Sequence, residues 1–443
     1  MTWFNLGPIW AQKDLLKKQY EEKKMAPEDA VQCLQSGFNV VVPLGCGEPH
    51  CLLEAMVERR QELKDVRIHQ MLPLSLPTYL KPGMDKHFRH VTWFPNGVLR
   101  PGVQAGQAGV MPGYFREYPR FFEEHVTVDV FMGVVSPMDR HGFFSFGVSV
   151  DYTTTAARKA NTVILVVNPN MPRTHGAGFI HLCQADIIVE DTSPLPEVTF
   201  DPPQPEDEII AAQIAELVPD GATIQLGLGT IPNAVAAALR AKKGLGVHTE
   251  IITDAFVDLV EAGAITNRYK TLHPGKMVCT AAVGTRRLYD FLDDNPMIEM
   301  RPVSYTNDPQ IISLNANMVA ITSAAEMDLL GQCTAETIGP KSLAGTGGQV
   351  DFARGTAMAP GGKFIVALRS TNPKGQSNIV PQLRQGAVVS IGKNDVDYVV
   401  TEYGAARLRG RTVRQRAEAL IALAHPKYRD GLREAAKKLG YTR

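Results

Sequence analysis

The chain has no excess of either charge: Lys plus Arg and Asp plus Glu both number 46 in 443 residues. No net field draws it toward nucleic acid or an anionic membrane, so any anionic ligand must be held by a local device. Cysteine is sparse. The six are Cys33, Cys46, Cys51, Cys183, Cys279 and Cys333, and no two stand at the CxxC or Cys/His spacing of a zinc site. They read as reduced, mostly buried thiols, and no metal is expected. No run of about 18 apolar residues occurs, so no membrane span is expected. The opening segment, MTWFNLGPIWAQKDLLKKQYEEKK, has no uninterrupted apolar stretch and contains acidic residues. A secretory or mitochondrial leader is therefore not expected, and the expected location is the cytoplasm. Hydrophobic and charged fractions of 44% and 21% exclude disorder.

A chain this long exceeds one ordinary core and predicts two large domains. The stretch SPLPEVTFDPPQPED, Ser193 to Asp207, replaces apolar periodicity with prolines and carboxylates. Proline fixes φ and removes a donor, so this segment reads as the interdomain linker, with domains at 1–195 and 206–443. The halves open alike. PEDAVQCLQSG leads to NVVVPL, Gly45-Cys46-Gly47 and a helical pattern; EIIAAQIAELV leads to ATIQL, Gly227-Leu228-Gly229 and NAVAAALRAKK. Apolar β-branched runs at 162–168, 185–190 and 363–368 predict parallel strands covered by helices. The fold class expected is α/β, two open parallel-sheet domains related by internal duplication. HPKYRDGLREAAKKLGY, near the end of the chain, predicts an amphipathic helix with a solvated basic face.

Three segments carry candidate chemistry. In IQLGLGTIPNAV, glycines follow a buried strand and a helix begins near Pro232. This is either an anion cradle at a helix N-terminus or a tight packing turn. It is not a dinucleotide fingerprint, because Pro232 occupies the third glycine position of G-x-G-x-x-G. In VHTEIIT, Glu250 interrupts an apolar run. A carboxylate there costs free energy unless it is paired or solvated, so catalysis, a wet edge and a structural ion pair all remain open. KSLAGTGGQVDFARGTAMAPGGK carries Gly345, Gly347 and Gly348, then Gly361 and Gly362. Such a backbone bends sharply to offer N–H groups to an oxyanion, or is a surface loop.

Together these segments resemble the acetyl-CoA hydrolase/transferase family, and within it the 4-hydroxybutyrate and butyryl-CoA:acetate CoA-transferases. The resemblance rests on GLGTIPNAV (227–235), HTEIITDAFVDLVEAG (248–263), LHPGKMV (272–278), NPMIEMRPVSYTNDP (295–309), AGTGGQVDFARGTAM (344–358) and VVTEYGAARLRGRT (399–412). GCGEPHCLLEAM (45–56) and SPMDRHGFFSFGVSVD (136–151) match more loosely. It implies the CoA-transferase (NagB/RpiA-like) fold, with the site in the cleft between domains and the first domain supplying the acyl pocket. Glu250 matches the glutamate that attacks an acyl-CoA thioester and passes through an acyl-glutamyl anhydride and a glutamyl-CoA thioester. Gly227, Leu228, Gly229, Thr230 and Ile231 match a CoA-binding stretch. Gly345 and Gly348 fall in a glycine loop that contacts the thioester, and Gly347 lies between them. Asn307 and Glu402 match supporting polar residues. Ala344 stands where some relatives carry asparagine.

The reaction so implied transfers CoA between a short acyl-CoA and a carboxylate such as acetate, with no cofactor beyond the CoA substrate and no metal. A hydrolase of the same fold and a non-catalytic acyl-CoA binder are the alternatives. His248, two residues before Glu250, would share its face in a strand and reads as a packed or hydrogen-bonded histidine, with catalysis the alternative; His141 near a turn is either a turn residue or a lining of the acyl pocket. The partners expected are acyl-CoA and short carboxylates, not nucleic acid or membrane, with a homodimer or dimer of dimers as the assembly.

Overall fold

Two parallel sheets, one on each side of the proline-rich stretch, organise residues 9–443, which the computed structural model describes. The start of the segment read as carrying no leader, residues 1–8, lies outside the described residues. The first sheet runs Ala108–Val110, Phe88–Thr92, Val66–His69, Asn39–Val41, Val130–Val135, Thr162–Val167, Ile187–Glu190 in space, all parallel. Its middle strands, VFMGVV and TVILVV, are buried almost throughout. Unbroken apolar runs of this kind are what a sheet covered on both faces demands.

The second sheet runs Gly246–Val247, Thr223–Leu226, Met318–Ser323, Lys363–Ala367, Tyr398–Thr401, Gly404–Arg407. Only the last strand is antiparallel. Both sheets share one arrangement: the first strand in sequence lies between the second and a later one, so the order reverses beside it. In each, a Gly-x-Gly turn follows that first strand and leads to a helix, His50–Glu58 in one half and Thr230–Ala238 in the other. The echo in the sequence is thus an echo in topology, and the α/β class expected is the class observed. Arg429–Lys438 forms the amphipathic helix near the end, burying Leu432 and Ala436.

The proline-rich segment has neither helix nor strand before Pro205, as proline dictates. It nevertheless packs against the chain, with Val198 N–H donating to Gly284 O at 2.9 Å and Tyr289 Oη to Pro196 O. Residues 277–303, which follow it in sequence, are stitched back to the first half. Ala282 N–H donates to Val148 O at 2.8 Å, Val150 N–H to Thr280 O at 3.0 Å and Met300 N–H to His175 O at 2.8 Å. One apolar core accordingly runs from Val40 through Ile252 and Met300 to Val400, and a second fills the far side of the second sheet around Phe352 and Phe364.

Asp207 fixes the start of the second half. It is fully buried, and Arg369 grips it with Nε on Oδ1 and Nη2 on Oδ2, both at 2.7 Å. Removing one partner of a buried pair strands the other's charge, whereas Arg369 here still reaches water. Asp207→Ala should therefore destabilise the protein by about 3 kcal/mol, the lower end of that range. Urea denaturation checks this, and a change below about 1 kcal/mol would show the pair to be incidental.

Candidate active site

Glu250 sits where the chain changes sheets. Gly246–Val247 pairs in the second sheet and His248 N–H still donates to Ile224 O at 3.1 Å. Then Thr249 N–H turns to Val278 O, and Ile251–Ile252 pairs with Ala281–Ala282, in the segment stitched to the first half. Glu250 is the bend between these pairings, and its carbonyl accepts from Thr280 and Ala281 N–H at 2.9 and 3.1 Å. The side chain projects into a cavity of about 300 Å³. Met71, Leu72, Phe94 and Phe115 of the first half form one wall. Gly227, Leu228, Thr322 and Ser323, at the carboxyl ends of the two strands where the second sheet's order reverses, form another. Ligands of open α/β sheets bind at such a switch point.

The glycine loop closes the remaining side: Ala344, Gly345, Thr346, Gly347 and Gly348 all line the cavity. Each glycine has its own reason. A Cβ on Gly345 would overlap the Trp93 carbonyl, and one on Gly348 would overlap the Glu250 carboxylate and the Asn307 amide. Gly347 has φ +59°, a left-handed backbone that glycine adopts without strain, and its carbonyl accepts from Phe115 N–H at 3.2 Å.

The Glu250 carboxylate is enclosed by protein except where it meets the cavity. Burial pushes it up to about 7, against the opposing pull of Asn307 and of the Gly348 backbone. Asn307 Nδ2 donates to Glu250 Oε1 at 2.5 Å. Asn307 is itself fully buried, held after the short helix Val303–Thr306 by its N–H on Val303 O at 3.0 Å. A carboxylate that burial lifts toward neutrality is a candidate base or nucleophile.

The structure separates the remaining candidates. Gly229 has φ +122° and caps the helix that Thr230 begins, with Ile231 buried in its first turn. Thr230 accepts from Arg369 Nη2 at 3.4 Å and opens on a second cavity of about 620 Å³ beside Arg369 and Asn372. Glu402 does not line the Glu250 cavity; its carboxylate accepts from Ser370 N–H at 2.9 Å and from the Ser370 hydroxyl. His248 does not line it either. Its Nε2 donates to Thr306 O at 2.7 Å, and burial with the Lys270 charge holds the ring down at about 3, so it is a neutral strut beneath Asn307. His141 is exposed and contacts Arg140. Sequence reasoning missed Phe94 and Phe115, which no motif marks. Among the described residues no group of three or more His, Cys, Asp and Glu could hold a metal.

A half-buried carboxylate beside a glycine loop, at the switch point of an α/β sheet, is an arrangement suited to acyl transfer, and the fold around it is that of the CoA-transferases. The acetyl-CoA hydrolase/transferase N-terminal domain matches residues 10–198 and the C-terminal domain of the same family residues 284–436. The chain belongs to that family and is an enzyme of the CoA-transferase type. It is 47% identical to a succinyl-CoA:cyclohexane-1-carboxylate CoA transferase of Geobacter metallireducens, covering 96% of this chain and 97% of the relative. It is 47% identical to a 4-hydroxybutyrate coenzyme A transferase of Clostridium kluyveri, covering 95% and 98%. The crystal structure of RipA from Yersinia pestis superposes with a TM-score of 0.92 at 38% identity, over 96% of this chain and 99% of that one.

Two outcomes follow from the geometry. Gly348→Ala should fold but lose at least about a hundredfold in kcat, because the methyl displaces the carboxylate by about 1 Å; activity within about threefold of wild type would show that the loop yields freely. For Glu250, burial raises the folded-state value from 4.5 to about 7. Between those pH values the unfolded chain binds fewer protons, so stability falls as pH rises through the window. Glu250→Gln, which carries no charge, should therefore be more stable than wild type at pH 8 by up to about 3 kcal/mol and equal to it near pH 4. Denaturation at both pH values checks the sign.

Proposed function

We propose that the protein moves CoA between a short-chain acyl-CoA and a carboxylate such as acetate, with Glu250 as the covalent relay. A Glu250 oxygen adds to the thioester carbonyl and the CoA thiolate leaves, giving an acyl-glutamyl anhydride. The thiolate then attacks the glutamyl carbonyl, releasing the acyl group as its carboxylate and leaving a glutamyl-CoA thioester. The incoming carboxylate reverses the sequence. Glutamate is a modest nucleophile, but the thioester is a good electrophile and the anhydride retains enough energy to recapture the thiolate.

The single observation carrying this reading is the Glu250 carboxylate, half-buried, lifted toward neutral pH, bonded by Asn307 and packed against Gly348 inside the cavity between the two sheets. In this reading Gly227 to Ile231, Gly345 and Gly348 contact CoA, while Met71, Leu72, Phe94 and Phe115 receive the acyl chain. Among the described residues no lysine or arginine lines the cavity, so an acyl group without a second charge suits it best. The apolar wall and closed loop also serve to keep water from two hydrolysable intermediates. The relatives named above act on 4-hydroxybutyrate in one case and on succinyl-CoA and cyclohexane-1-carboxylate in the other, and a butyryl-CoA:acetate CoA-transferase of Anaerostipes caccae is 38% identical.

Butyryl-CoA supplied with and without acetate tests the proposal. Acetate-dependent formation of acetyl-CoA is expected, with turnover falling by at least about a thousandfold in Glu250→Gln. Hydroxylamine or borohydride trapping without acceptor should modify the peptide containing HTEIITDAF. Release of CoA independent of acetate, or a label on Glu336 or Glu402, would overturn it.

A further inference from the structure

Asn307 bonds Glu250 by its side chain, and its own backbone is held in turn. The helix before it, Val303–Thr306, is a single four-residue turn, and carbonyls at the end of a helix have no partner within it. The Thr306 carbonyl finds one in His248 Nε2 at 2.7 Å. The peptide unit joining Thr306 to Asn307 is planar, so that carbonyl and the Asn307 N–H move as one body. Val303 O accepts the same N–H at 3.0 Å. The plane from which the Asn307 side chain springs is thus pinned at both edges, on one by its own helix and on the other by His248.

His248 is a firm anchor for this purpose. It is fully buried, and its N–H donates to Ile224 O of the second sheet at 3.1 Å. Its ring also meets the ring of Phe352 edge to face, with centroids 6.3 Å apart. Phe352 lies on the helix Gln349–Met358 and donates its N–H to Gly348 O at 3.0 Å. One imidazole therefore touches the supports of both Asn307 and Gly348, the two groups packed on the Glu250 carboxylate. A carbonyl oxygen only accepts, so the proton of the neutral ring is on Nε2, and Nδ1 is buried with no partner. A polar ring with one nitrogen unmet is a costlier filler than an apolar ring of similar shape, so packing alone does not account for a histidine here.

We propose that His248 is a positioning residue for the transfer reaction: its Nε2–H bond to Thr306 O sets the peptide plane of Asn307, and through it the aim of the amide on Glu250, without contact with substrate. This inference rests on Glu250 as nucleophile, as proposed above.

The test compares His248→Phe, His248→Asn and His248→Gln, alone and combined with Asn307→Ala, in the full-length protein, with thermal denaturation showing which are folded at the assay temperature. Phenylalanine keeps the ring and removes the donor, glutamine carries a donor to about the place of Nε2, and asparagine carries the same amide one methylene short, serving where the phenylalanine variant does not fold. His248→Phe and His248→Asn should lower kcat at least about tenfold with the KM for acyl-CoA within about twofold, and His248→Gln should stay within about threefold of wild type. Added to Asn307→Ala, the same changes should cost less than about twofold more, because the path they act through is already gone. A kcat within about twofold of wild type in both donor-less variants, an equal loss in His248→Gln, or a loss that persists in full beside Asn307→Ala would overturn the proposal. A second readout needs no turnover: 13C NMR of the Glu250 carboxyl in protein labelled at glutamate, assigned through Glu250→Gln. The Asn307 bond pulls the Glu250 titration down, so its midpoint should rise by about half a pH unit or more in His248→Phe or His248→Asn and hold in His248→Gln. If wild type shows no acyl exchange, the assignment of function fails by itself, while an unmoved midpoint in the donor-less variants overturns the role of His248.

Discussion

The centre of the molecule is governed by one constraint, that a single carboxylate must be kept dry and still be ionisable. Taking Glu250 out of water costs several kcal/mol. A carboxylate with three good donors recovers that cost and stays ionised well below neutrality. Such a group is content and unreactive. Glu250 has Asn307 and the Gly348 backbone, which moderate burial without cancelling it. The result is a group lifted toward neutrality, which on the proposed reading keeps nucleophilicity that full hydrogen bonding would remove.

Holding a group in that condition requires a frame that does not relax toward better solvation. Glu250 stands on backbone that pairs with the second sheet on one side and with the segment stitched to the first half on the other. Asn307 is set by a helix whose first residue, Val303, donates its N–H to Asp151 O of the first half at 3.1 Å. The glycine loop leans on Trp93 and Phe115, also of the first half. Every group that touches the carboxylate is therefore referred to both halves at once, and relative movement of the halves would misplace all of them together. The buried pairing of Arg116 with Asp351 works in the same sense across the cleft.

What the sequence made legible was local. Unbroken β-branched runs at 162–168, 185–190 and 363–368 announced the covered parallel strands Thr162–Val167, Ile187–Glu190 and Lys363–Ala367, and prolines from Pro194 to Pro205 announced a break in regular structure. Glu250 stood out because an ionisable group in an apolar run needs a cause. The walls of the cavity were silent, since Met71, Phe94 and Phe115 look like any core residue until parallel strands bring their carboxyl ends to one edge. Likewise, nothing in a linear pattern says that Arg116 will meet Asp351, more than two hundred residues away. His248 is the packed, hydrogen-bonded histidine that was favoured from sequence, though not on the face of Glu250: the chain bends at Glu250 as it leaves one sheet for another, and strict alternation ends there.

The two Gly-x-Gly turns show why such a motif alone could be read two ways. In the first half Gly45, Cys46 and Gly47 are all buried, and a Cβ on Gly47 would overlap Pro43 and Ser149. Glu48 beside them accepts from Gln70 and faces His50 Nδ1 at 3.0 Å, so its carboxylate is satisfied within the protein. That turn is a packing device. In the second half Gly227 and Leu228 border open volume, Leu228 is 37% exposed, and Glu250, which lines the same cavity, has a partner on one side and that cavity on the other. The same strand-turn-helix unit thus closes on itself in one half and stays open in the other. The difference lies in whether neighbouring side chains fill the switch point, which depends on tertiary packing and not on the glycines.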